Sequence, residues 1–120
     1  MSDIHVIEAT PEQVSAWLKA GEILLVDVRE ANEYAFERIH GALLYPLSTF
    51  DATPLLTEGR RVVLHCAGGK RSLMAAQKLQ AAGRRQVTHL AGGLQAWKTA
   101  GMPLIRIDPQ TGRVIDDGRH

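Results

Sequence analysis

Apolar runs alternate along the chain with segments of helical spacing, and this alternation predicts the order of elements. A short apolar segment, Ile4 to Ile7, suits an edge strand. Thr10-Pro11-Glu12-Gln13 then supplies a cap, a proline at the first helical position and a glutamine able to close a capping box. Val14, Trp17 and Leu18 follow at helical spacing, with Trp17 expected in the core and Gly21 ending the helix. Ile23 to Val26 and Val62 to His65 are continuous apolar runs, the pattern of parallel strands covered on both faces. Between them, Ala31 to Phe36 suits a short helix, Gly41 a turn and Ala42 to Leu44 a modest strand. Ser48 to Asp51 offers a helix start broken near Pro54 and Gly59.

The longest helix is expected from Ser72 to Ala82, with Ala75, Ala76, Leu79 and Ala82 inward, Gln77, Lys78 and Gln80 in water, and Gly83 closing it. Val87 to Leu90 is the next strand, and Gly92-Gly93 turns into a helix from Leu94 to Ala100 that Gly101 and Pro103 stop. Strands alternating with helices imply a mainly parallel sheet with helices against it. Beyond Pro103, Ile105, Ile107, Val114 and Ile115 flank Asp108 to Gly112 in the manner of a hairpin, and Asp116 to His120 reads as disordered.

Chemistry concentrates where the Val62 run breaks. The only cysteine, Cys66, is followed by Ala67-Gly68-Gly69-Lys70-Arg71-Ser72. The glycines let successive N–H groups turn inward around whatever sits on the sulfur. Ser72 is placed to cap the helix, and Lys70, Arg71 and the positive helix end all favour thiolate. Asp27 and Arg29 end another strand of the same direction and belong to the same rim, where they either support the cysteine loop or form a surface ion pair or turn cap. The bland alternative for Cys66 is a small buried hydrophobe, which leaves the adjoining glycines and cations without a purpose. His65 neighbours Cys66 but points to the opposite face of a strand, so it is expected to be a packed or hydrogen-bonded sheet residue.

Composition narrows the field. At 120 residues the chain suits one domain, and fourteen basic against thirteen acidic residues leave no general attraction to nucleic acid or acidic membranes. One cysteine makes neither an internal disulfide nor a multi-cysteine zinc site, and His5, His40, His65, His89 and His120 lack metal-ligand spacing. No cofactor or metal is expected. The first residues lack the pattern of a secretory signal and no segment has the length of a membrane span, so a cytoplasmic setting without membrane insertion is the expectation. A nucleotide P-loop would need glycine in place of Leu64 and serine or threonine in place of Arg71.

These residues together resemble the single-domain rhodaneses. Cys66-Ala67-Gly68-Gly69-Lys70-Arg71-Ser72 matches the Cys-x-x-Gly-x-Arg-Ser loop. Asp27-Val28-Arg29 with Glu33-Tyr34 is similar to the Asp-x-Arg…Glu-Tyr segment, Gly41-Ala42 to the Gly-Ala turn, and Gly92-Gly93-Leu94-Gln95-Ala96-Trp97 to the late Gly-Gly-x-x-x-Trp element. The similarity runs in order from about Val6 to Pro103, with His40 standing where relatives often carry proline. It implies an open, mainly parallel α/β sheet of about five strands with helices on both faces. Residues 1–104 would form that domain and 105–120 an extension. It also implies a sulfurtransferase in which Cys66 accepts sulfur from an anionic donor such as thiosulfate. The sulfur is held as a persulfide among the amides of Ala67, Gly68, Gly69, Lys70, Arg71 and Ser72, then passed to cyanide, a thiol or a protein acceptor. Two rivals stay open. A carrier or regulatory module would use the same residues without turnover. Cysteine phosphatases and arsenate reductases place one more residue between cysteine and arginine, whereas four separate Cys66 from Arg71.

Overall fold

The computed structural model describes residues 5–116. Strands β1 (His5–Ala9), β2 (Ile23–Asp27), β4 (Leu43–Leu44), β5 (Arg61–His65) and β6 (Gln86–Leu90) form one parallel sheet in the order β1-β6-β5-β2-β4. Helices α1 (Pro11–Lys19), α2 (Ala31–Phe36), α3 (Lys70–Ala81) and α4 (Gly93–Thr99) connect or flank the strands. Ile4 and residues 117–120, for which a strand start and disorder were expected, lie outside the described residues; Asp116 itself ends a strand.

Alternation along the strands sorts the core into two layers. Val63 of β5 packs with Leu25, Leu90, Val14, Leu94 and Trp97, which places α1 and α4 on one face. Val62 and Leu64 pack with Val26, Val87, Ala75, Ala76 and Leu79, which places α3 on the other. The alanines let α3 lie close on the sheet, as the spacing predicts, although Ala82 is the exposed C-cap and not part of the stripe. Gln80 is half-buried, its amide Nε2 donating to the His5 carbonyl at 2.6 Å. The predicted capping box at Thr10 and Gln13 forms. Trp17 sits at the edge of its layer with the Arg61 guanidinium 4.6 Å from its ring centre, and Trp97 is the tryptophan in the interior.

Two stretches differ from expectation. The start at Ser48 produces no α-helix; two 3₁₀ turns, Leu47–Thr49 and Thr53–Leu55, occupy the segment, because the backbone turns extended at Phe50 and ends the first, while Pro54 sits in the opening of the second. After Pro103, β7 (Ile105–Ile107) and β8 (Val114–Asp116) pair antiparallel, and β7 also pairs with the two-residue β3 (Glu37–Arg38). A second, three-stranded sheet thus ties the end of the chain to the segment after α2.

Candidate active site

β5 lies at the centre of the five-stranded sheet, so the chain leaving its carboxyl end emerges into the crevice that parallel α/β sheets build from their strand ends. Cys66 is the first residue out. It remains on the α3 face, packed in the layer of Leu64, and only 1% of the residue is exposed. The loop then curls. Gly69 takes φ +108, a left-handed conformation that side chains resist, and this residue, not Ser72, is the N-cap of α3. Ser72 falls inside the first turn and is fully buried. The helix therefore starts earlier than expected, and the serine hydroxyl, instead of capping it, bonds to the Gly69 carbonyl at 3.1 Å and stands beside the sulfur.

The curl turns amides inward. The N–H of Gly69 donates to Cys66 Sγ at 3.1 Å and that of Ser72 at 3.3 Å, while the Ser72 hydroxyl lies 3.6 Å from Sγ. Burial pushes the Cys66 thiol up. The N–H and hydroxyl of Ser72 and the N–H groups of Gly69 and Gly68 outweigh it, and the thiol stands below its ordinary value. The cradle thus suits negative charge on the sulfur.

The loop is clamped from below by α4. The Leu94 N–H donates to the Cys66 carbonyl at 2.8 Å and that of Gln95 to the Ala67 carbonyl at 3.0 Å. A Cβ on Gly93 would stand 2.5 Å from the Cys66 carbonyl oxygen and 2.7 Å from that of Ala67. The Gly92-Gly93 pair is accordingly the floor of the cysteine loop, a packing role that its sequence position alone does not reveal.

Arg71 does not reach over the sulfur with an open fork. Its Nη1 and Nη2 donate to Glu33 at 2.7 and 3.0 Å, tying the loop to α2. The Arg71 guanidinium holds the Glu33 carboxyl down at about 2. Lys70 is exposed. Asp27 and Arg29 are buried and paired to each other: Arg29 Nη2 reaches the Asp27 carboxylate at 2.7 Å and the Glu37 carbonyl at 2.7 Å. They are no surface pair. Their link to the cysteine loop runs through His65, whose Nε2 is 3.5 Å from Asp27 and whose Nδ1 is 3.3 Å from the Cys66 carbonyl oxygen. His65 is wholly buried on the face away from α3, and burial keeps its pKa below the usual histidine range. Arg29 and Glu33 also line a cleft of about 250 Å³ beside the loop, with Phe36, Glu37, Ala67, Leu94, Gln95 and Lys98. A larger cavity of about 350 Å³, between α1 and Trp97, shares no residue with the loop.

Sequence reasoning singled out neither Glu8 nor the function of His89. The Ser72 hydroxyl lies 2.9 Å from His89 Nδ1, and Glu8 lies 3.4 Å from the other ring nitrogen. The available signal was the placement of two strand residues, which only the parallel register of β1 and β6 makes adjacent.

A parallel sheet with a cysteine at the end of its central strand, amides closed on the sulfur and an arginine bracing the loop defines an α/β domain with a cysteine-centred loop. The chain belongs to the Rhodanese-like domain family, whose pattern matches residues 10–100. It is 38% identical over 101 residues to an uncharacterized protein of Synechocystis, covering 83% of this chain and 56% of that one. The chain spans about half the length of the first curated relatives it matches. Its structure is similar to the Rhodanese-like domain of the Alr3790 protein from Anabaena, with a TM-score of 0.75, 28% identity and coverage of 94% of this chain and 89% of that one. It is also similar to a thiosulfate sulfurtransferase from Pseudomonas aeruginosa, with a TM-score of 0.73, 31% identity and coverage of 83% of this chain and 20% of that one. Among the described residues no helix is long and apolar enough to cross a membrane, and no group of three or more His, Cys, Asp or Glu is arranged to hold a metal ion.

Proposed function

We propose that the chain is a sulfurtransferase that carries sulfane sulfur as a persulfide on Cys66. The Cys66 thiolate attacks the outer sulfur of an anionic donor such as thiosulfate; a new S–S bond forms, the old one breaks, and sulfite leaves with the electron pair. A thiophilic acceptor, cyanide or a small or protein thiol, then attacks the outer sulfur and Cys66 leaves as thiolate. The observation that carries this reading is the pair of N–H groups at 3.1 and 3.3 Å from Sγ, donors already aimed where negative charge sits before and after transfer. The likeness to a protein named thiosulfate sulfurtransferase supports thiosulfate as donor. Exposed Lys70 provides the local attraction for it, since Arg71 is neutralised by Glu33.

Residues 1–104 form the transfer unit in this proposal, 105–120 are an extension, and a reducing cytoplasm keeps the thiol available. No cofactor takes part. The test is intact-protein mass spectrometry after exposure to thiosulfate. Gain of one sulfur atom, removed by cyanide and missing in Cys66→Ser, is expected; no adduct under any donor would overturn the assignment. Release of thiocyanate over many cycles separates a turning-over enzyme from a carrier that is loaded once.

A further inference from the structure

The persulfide cycle needs a thiolate, yet Cys66 is almost wholly covered, so its proton has no direct exit to water. Next to the sulfur stands a row of polar groups, none of which lines the cleft. Ser72 Oγ is 3.6 Å from Sγ, His89 Nδ1 is 2.9 Å from Ser72 Oγ, and the Glu8 carboxylate is 3.4 Å from His89 Nε2. Ser72 and His89 are buried, whereas the Glu8 side chain is 71% exposed. The row therefore runs from the sulfur to solvent.

We propose that Ser72, His89 and Glu8 form a proton path that deprotonates Cys66, with His89 as a positioning residue acting through Ser72. The proposal rests on the persulfide reading, because only a thiolate nucleophile requires it. The Ser72 hydroxyl has one hydrogen and three neighbours within reach: Sγ, His89 Nδ1, and the Gly69 carbonyl oxygen at 3.1 Å. With the neutral ring carrying its hydrogen on Nε2, towards Glu8, the Nδ1 lone pair accepts the serine hydrogen. The thiol S–H breaks and its hydrogen passes to Oγ as the Oγ hydrogen passes to Nδ1. The products are a thiolate and an imidazolium, with no other reactant consumed. Ser72 then donates to the thiolate, the Nδ1–H donates to Ser72, and the Glu8 carboxylate faces the new positive charge. The second ring nitrogen hands a proton on to Glu8 and water.

The surroundings favour this assignment. Glu8 and His89 are register partners on adjacent strands, so their proximity is set by the sheet and not by a loop. The register neighbour of His89 on β5 is Leu64, which is apolar. Of the charged groups next to Ser72 on α3, Arg71 is bound to Glu33 and Lys70 is exposed. Glu8 and, through Ser72, Cys66 are thus the titratable groups brought up to the ring.

The pH profile of Cys66 alkylation by iodoacetamide tests the path without any sulfur donor. In His89→Gln, which keeps a hydrogen-bonding side chain but no titrating ring, the alkylation midpoint should rise, with roughly a three- to tenfold lower rate at neutral pH and an unchanged plateau at high pH. A midpoint equal to that of the unmodified sequence would overturn the proposal. In a Ser72→Ala background, His89→Gln should move the midpoint no further; an equal additional shift would show that His89 does not act through Ser72. Should His89→Gln fold poorly, the unsubstituted protein still decides. NMR titration of the His89 ring should show its midpoint falling once Cys66 is alkylated, since the imidazolium loses its anion, and an unmoved midpoint refutes the path. Because thiosulfate-dependent mass gain is measured separately, loss of the persulfide reading and loss of the proton path give different results.

Discussion

At the scale of single residues, the sulfur is governed by donors that are already in place. Two amides donate to Sγ, with the Ser72 hydroxyl 3.6 Å away, and each amide would have to be turned inward at a cost if the loop were free. Cys66→Ser is expected to abolish persulfide formation, since an alkoxide is not reached at neutral pH and no second thiol exists in the chain. Arg71 acts at one remove. Its fork on Glu33 is partly solvated, and such pairs contribute little to stability, about 1 kcal/mol or less. Arg71→Ala is therefore expected to leave the urea midpoint almost unchanged while slowing persulfide formation roughly 10- to 100-fold, through amides displaced from the sulfur. Glu33→Gln should reproduce part of that loss. A variant that loses stability and keeps its transfer rate would place Arg71 in the scaffold instead.

At the scale of elements, the site is a junction of β5, α3 and α4, and glycine is what lets them meet. Gly93 has φ +60 and a space into which a Cβ does not fit, against the carbonyls of Cys66 and Ala67. Gly93→Ala must push α4 away from the loop and break the hydrogen bonds from Leu94 and Gln95. The expected loss is on the order of 2 kcal/mol in urea unfolding, with a persulfide rate reduced more than that of Gly68→Ala, where the added methyl meets nothing. The junction also shows what the sequence makes legible. β5 and α3 announce themselves because a strand buried on both faces must be apolar throughout, and a helix lying close on a sheet must be lined with alanine. The loop between them is legible because cysteine, glycines and cations have no joint packing purpose. Glu33 was visible only as part of the resemblance, because its salt bridge joins residues 38 apart in the chain. Ser72 was misplaced for a related reason: serine suits a cap by propensity, but the left-handed Gly69 starts the helix earlier and the hydroxyl bonds to the Gly69 carbonyl beside the sulfur. The pairing of β7 with β3 was hidden because a two-residue strand leaves no period to read.

For the whole molecule, the site is built over buried charge, and this links its integrity to pH. Burial holds the pKa of His65 below the usual histidine range, so below about pH 6.5 the unfolded chain takes up a proton that the folded chain refuses. Stability then falls as pH drops. Glu33 adds a second, shallow step of the same sign, kept small because its pair with Arg71 is partly solvated. Its folded value of about 2 lies below the ordinary 4.5, because Arg71 stabilises the carboxylate; the contribution is complete above 4.5 and is lost as pH falls from there towards 2. The Glu33 carboxyl is partly exposed, so added salt should shrink the lower step and leave the upper one largely intact. Urea midpoints measured between pH 8 and pH 3, values chosen to span both windows, should therefore decline in two stages. His65→Asn should flatten the stage below neutrality and Glu33→Gln the acid one. His65 also touches the Cys66 carbonyl and the Asp27–Arg29 pair beneath the loop, so protonating it disturbs the support of the sulfur before the domain unfolds. Persulfide capacity is accordingly expected to fall at a higher pH than the loss of folded structure. Coincident loss of the two would mean that His65 supports the domain as a whole and not the cysteine loop in particular.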